Sequence, residues 1–169
     1  MRNKQIRRIV FAALFAALAS IIKVLSPETG DSRLSFFQIP IMLAGYYLGG
    51  FYGLAVGFVA DTVYFLMPWT RGTFWGVFTI STMMWGLSGD VLRRIKPSLF
   101  NLVLVIFVSS VLETAINSFG LALYMSGGWP SVFAGLSIRV VFMLIRMPIN
   151  IVLIRYLIQK FEVMQLDFN

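Results

Sequence analysis

The sequence predicts an all-α fold: an integral membrane bundle of six transmembrane helices, one domain over residues 1–169, with both termini cytoplasmic. Three observations carry that expectation. The chain is 59% hydrophobic and only 12% charged, with a mean hydropathy of +0.84, which excludes an ordinary soluble domain. Its apolar runs are long and do not alternate, so helices and not barrel strands are the expected spanning elements. Basic residues gather at membrane edges, as in Arg2, Lys4, Arg7 and Arg8 or in Arg93, Arg94 and Lys96, where they act as orientation signals. The net charge of +7 is read the same way, with no nucleic-acid partner.

The first helix is expected over about 9–25. Its basic start and the triplet Ala17-Leu18-Ala19 imitate a signal peptide, but the apolar run continues past that triplet, so a spanning helix is the better reading. Helical spacing stacks Ala12 over Ala16 and Ala13 over Ala17, small-residue pairs that let another helix approach. A polar loop follows, ending Arg33-Leu34-Ser35-Phe36-Phe37-Gln38, a mixture that suits either a lid over a ligand or an interfacial anchor.

Residues 39–67 form one long helix or two short ones broken at Gly49-Gly50. Charge decides: with the N-terminus inside, only two helices (about 39–49 and 51–67) leave Arg93, Arg94 and Lys96 inside as well. Gly45, Gly49, Gly53 and Gly57 recur every four residues and mark close backbone packing. The third helix carries Asp61 and Tyr64. An outer loop with Trp69 and Arg71 leads to a fourth helix over about 74–91, where Phe74, Trp75, Phe78, Thr79, Thr82 and Trp85 mix rings with hydroxyls. Asp90, three and four residues before Arg93 and Arg94, is expected to pair with them.

The fifth helix, about 98–125, carries Glu113, Thr114, Asn117 and Tyr124. Gly127-Gly128-Trp129-Pro130 reads as a tight turn into the sixth, about 131–158. There Arg139, Met143, Arg146 and Asn150 fall on one stripe. A buried arginine costs a few kcal/mol even on insertion scales, so the stripe must face the bundle interior and meet acids, a polar cavity or an anionic ligand. Counting about 1.5 Å per residue puts Glu113 level with Arg139, and Asp61 level with Arg146, so those pairings are open to them, and an Arg139 left unpaired would join Arg33 and Arg71 as an anion binder.

Cys and His are both absent, which removes thiol nucleophiles, disulfides, imidazole bases and the commonest zinc ligands. Two carboxylates without a nucleophile or metal constellation do not make an enzyme, and no cofactor is implied. The pattern favours a pocket opening outward, with planar ligands stacking on Trp69, Phe74, Trp75 or Phe78 and carboxylates meeting Arg33, Arg71 or Arg139. Ser35, Phe36, Tyr64 and Asn117 complete the candidate set. A membrane scaffold for cell-wall synthesis is the alternative from another class, but it has no need of Arg33, Phe36, Trp69 and Arg71 at one mouth.

The order of motifs resembles a known family. The Ala-xxx-Ala first helix, Arg33-Leu34-Ser35-Phe36, the run from Ile39 to Gly45 and Gly49-Gly50-x-x-Gly53 come first. Gly57-x-x-x-Asp61, the Phe65-to-Gly72 loop, and Arg139 ahead of Met147-Pro148-Ile149 follow. Together they resemble the substrate-binding S components of energy-coupling-factor (ECF) vitamin transporters, most of all the folate-specific group. Glu113 with Asn117 departs from the more neutral, Asn-rich stretch expected there. The resemblance implies a non-enzymatic, six-helix vitamin binder in the bacterial cell membrane. Its partners would be a transmembrane coupling protein and two cytoplasmic ATPases, and reorientation of the whole subunit would deliver the vitamin. It also implies that Ala12 and Ala16 meet the coupling protein. Pantothenate, riboflavin and thiamine remain as other ligands, since the residues alone select only an anionic, aromatic one.

Overall fold

A computed structural model describes residues 2–29, 32–67, 76–124 and 128–163, without the side chains of 2, 3, 28, 29, 32, 33 and 163. Among the described residues the architecture is six helices and one minimal hairpin: α1 (Arg2–Leu25), β1 (Glu28–Thr29), β2 (Ser32–Arg33), α2 (Gln38–Leu48), α3 (Gly50–Leu66), α4 (Val77–Ile95), α5 (Leu99–Tyr124) and α6 (Gly128–Val163). The strands pair antiparallel, Glu28 opposite Arg33.

Local chemistry sets the breaks. α1 is rich in Ala and Leu, has no internal Gly or Pro, and stops before Pro27. Its helical start at Arg2 carries the basic tetrad on the helix itself, earlier than the apolar run begins. Gly49 divides α2 from α3 at φ 103°, a conformation that costs little only without a Cβ. α4 ends because Pro97 disfavours the helical region for Lys96, which takes φ 73°. Asn101 then donates through its amide to the carbonyls of Ile95 and Lys96, at 2.9 and 3.0 Å, closing the α4–α5 corner. The expected turn at 127–130 is different: Gly128, Trp129 and Pro130 already belong to α6, since proline's missing N–H is harmless in a first turn.

Side-chain pairs fix the directions. α3 and α4 are antiparallel, because Gly50 lies against Asp90 and Asp61 against Thr79. α4 and α5 are antiparallel through Trp85–Glu113 and Ser88–Ser109, and α5 and α6 through Glu113–Arg146 and Ser118–Arg139. Lys23 meets Asp61 near the C-terminal ends of both α1 and α3, which therefore run parallel. One end of the bundle, the hairpin end, thus holds the α1–α2 connection; the opposite end holds the start of α1 and the end of α6, the termini of the described chain.

The core contains Ile41, Met42, Trp85, Ile106 and Ile154, all fully buried. α2, α3 and α4 cross almost backbone to backbone: a Cβ on Gly53 would stand 2.8 Å from the Cα atoms of both Gly45 and Gly86. The outer surface is inverted, with Leu14, Phe51, Phe107, Leu112, Leu144 and Val152 exposed. Residues 4–25, 99–124 and 128–162 are each long and apolar enough to cross a membrane.

Gly53→Ala should lower the thermal midpoint in detergent, by the equivalent of about 1–3 kcal/mol of overpacking, since only backbone stands in the way. An unchanged midpoint would mean the three helices part without cost.

Candidate functional site

Two buried carboxylates organise the hairpin half of the bundle. Glu113 on α5 accepts from both Arg146 guanidinium nitrogens, Nη2 to Oε2 at 2.7 Å and Nη1 to Oε1 at 3.3 Å. The Trp85 indole N–H donates to Oε2 at 3.1 Å, and the Gln38 amide to Oε1 at 3.3 Å. One carboxylate therefore binds α2, α4 and α6 to α5. Every one of these side chains is buried, and an uncompensated charge there would be costly.

Asp61 on α3 is the second centre. It pairs with Lys23 of α1 and accepts from the Thr79 hydroxyl of α4 at 2.5 Å. Thr82 lies 3.3 Å from Asp61 and 3.2 Å from the Lys23 ammonium. The ammonium also sits over the rings of Phe37, at 4.7 Å, and Tyr64, at 5.4 Å from the centroids. Asp90 holds Arg93 and Arg94 at the opposite end, at 2.6 and 2.8 Å.

The stripe on α6 faces inward: Arg146 and Asn150 are buried, Arg139 and Met143 half-buried. Its partners differ from those read off by counting residues. Arg146 takes Glu113, and Asp61 is taken by Lys23. The reason is the lean of helical side chains toward their own N-terminus. On antiparallel α5 and α6, Glu113 leans toward the end with the termini while arginines on α6 lean toward the hairpin end. Arg146 therefore rises to meet Glu113, whereas Arg139 is carried past it and donates to Ser118 Oγ at 3.1 Å. Counting Cα positions omits that offset of about a turn. Lys23 was not among the candidates because it sits at the end of an apolar run, where a lysine ordinarily reaches for the surface.

The remaining candidates separate into three groups. Asn117, Arg139, Phe78 and Phe36 are half-buried in the hairpin half; α5 unites three of them, since Ser118 meets Arg139 and Gly120 faces Phe78. The carbonyl oxygen of Asn117 is buried without a hydrogen-bond partner. Tyr64 and Ser35 instead have structural surroundings: Tyr64 lies under Lys23, and Ser35 accepts from Ser26 at 2.6 Å, closing the hairpin's base. Trp69, Arg71, Phe74, Trp75 and the Arg33 side chain lie outside the described residues. Ala16 is buried, and Ala12 packs against the same core, so the expected partner face is turned inward. Ala13 and Ala17 are the small residues that α1 presents outward.

The chemistry available is that of binding. Both deep carboxylates are neutralised, and the half-buried set above them offers rings, an amide and a guanidinium. Among the described residues no group of acids could hold a metal ion. The profile of the family described as "ECF transporter, substrate-specific component" matches residues 7–158. The chain belongs to that family. As an S component it binds a transported substrate in a membrane and is not an enzyme. Its fold matches a crystal structure of FolT bound with folic acid, with a TM-score of 0.77 and 26% identity, over 88% of this chain and 92% of that one. No curated protein matches significantly.

Removing one partner of the deep pair strands the other. Arg146→Met should cost about 3–5 kcal/mol, while Arg146→Met with Glu113→Gln should recover most of it. Thermal unfolding of the purified variants checks this; equal losses in single and double variants would show that the pairing is not what matters.

Proposed function

We propose that this S component captures folate, or a close folate-type vitamin, at the hairpin end of the bundle. The single observation that carries the reading is the likeness to folic acid-bound FolT over nearly the whole of both chains. The site chemistry supports it. A folate has a planar heterocycle and a glutamate tail, which ask for rings, amides and cations together. Phe36 and Phe78, with Trp69, Phe74 and Trp75, supply stacking surface. Asn117 offers its amide to the heterocycle. Arg139, with Arg33 and Arg71, meets the carboxylates.

Arg139 is half-buried beside Ser118, above the Lys23–Asp61 and Arg146–Glu113 pairs, where a guanidinium is placed to reach a carboxylate. Six membrane crossings with both termini cytoplasmic place the hairpin end outside, in a bacterial cell membrane. Delivery then requires partners: a transmembrane coupling protein driven by two cytoplasmic ATPases. The outward pair Ala13 and Ala17 is the close-approach face on α1 that such a partner would use.

Arg139→Met should weaken folic acid binding roughly ten- to a hundred-fold by calorimetry, the worth of one charge-assisted contact of about 1.5–3 kcal/mol. Arg139→Lys should restore only part, because the two-pronged geometry is lost. Unchanged affinity in a stable Arg139→Met protein would move the anion contact to the loop arginines, and a parent that binds riboflavin or thiamine instead would overturn folate.

Ala13→Trp and Ala17→Trp should abolish vitamin uptake in cells while leaving binding by the purified protein intact. Equal loss of both would return this face to the bundle.

A further inference from the structure

We infer that Lys23 is a positioning residue for vitamin capture: held by Asp61, it seats the connection between α1 and α2 at the mouth of the site. This rests on the binding reading above, but its geometry is independent of which vitamin binds. The connection leaves α1 two residues after Lys23 and enters α2 through Phe37 and Gln38. Its base is closed by Ser26–Ser35 at 2.6 Å, by Leu34 N–H donating to Pro27 O at 3.3 Å, and by Phe37 N–H donating to Ser35 Oγ at 3.4 Å. β2 lies against α6, so the segment spans from α1 to the helix carrying Arg139.

What seats its far foot is the Phe37 ring on the Lys23 ammonium. That ammonium is in turn fixed by Asp61 of α3 and Thr82 of α4. Four elements thus meet at one buried cation: α1, α3, α4 and, through Phe37, the connection itself. Lysine suits the place: its stem packs along apolar surface while its compact charge serves a carboxylate, a hydroxyl and a ring face at once. Loosening this contact leaves α2, α4, α5 and α6 tied by the Glu113 centre, so the effect should be local to the mouth.

Lys23→Met alone would strand Asp61, so the test uses Lys23→Met with Asp61→Asn, which removes both charges and keeps the amide oxygen for Thr79. Hydrogen exchange of the ligand-free protein should show faster exchange of the Leu34 and Phe37 amides and unchanged exchange in α5 and α6. Folic acid should dissociate about tenfold faster or more. Lys23→Arg, which keeps the charge, should restore much of the protection. If the double variant does not fold, Phe37→Leu removes the ring without touching a charge and must give the same local change. Unchanged exchange at Leu34 and Phe37, or acceleration spread evenly over the bundle, overturns the inference. A parent protein that fails to bind folic acid overturns the ligand reading and leaves the exchange result to stand by itself.

Discussion

The carboxylate of Glu113 is the constraint on which the bundle depends. It accepts four hydrogen bonds, from Gln38, Trp85 and both Arg146 nitrogens, so helices far apart in sequence converge on two oxygen atoms. In a soluble protein, burial of apolar surface would drive such helices together. Between helices in lipid that drive is absent, because the tails are as apolar as the side chains they would replace. Polar contacts and close packing must supply it. The glycine crossing of α2, α3 and α4 supplies the packing, and the Glu113 and Asp61 centres supply the contacts.

Much of this was legible in the sequence. Hydropathy gave the class, the positive-inside rule divided 39–67 at a glycine pair, and spacing alone placed Arg139, Met143, Arg146 and Asn150 on an inward stripe. Partner choice was not legible. Depth counted along Cα positions treats side chains as points, yet helical side chains lean toward their helix N-terminus, and antiparallel neighbours lean in opposite senses. Lys23 hid for a related reason: near a helix end a lysine can snorkel, and only the position of α3 and α4 beside it shows that it turns inward. The two alanine pairs on α1 are a single residue apart, and sequence spacing cannot say which one faces the core.

The charge arrangement bears directly on recognition. Lys23 balances Asp61 and Arg146 balances Glu113, so the deep bundle presents a captured solute with little net field. A balanced floor neither attracts nor repels a carboxylate, and discrimination passes to the shallower groups. Arg139 stands among them only because its lean carries it past Glu113 to Ser118. Had it paired with Glu113, Arg146 would have needed another acid. The departure from a neutral fifth helix is thereby explained within this chain: Glu113 is a structural counter-charge, and the Asn117 carbonyl oxygen, one turn nearer the hairpin end, is buried without a hydrogen-bond partner.

Ion pairs are a costly way to hold helices, and well-packed apolar residues often stabilise as much. Their value here is register. Glycine contacts allow helices to approach but specify little, since a slide of one turn replaces one small residue by another: Gly45, Gly53 and Gly57 share that spacing with the break at Gly49. A carboxylate with four fixed donors tolerates no such slide, because a shift of one turn strands buried charge on both sides. The two devices divide the labour, with glycine setting distance and charge setting register.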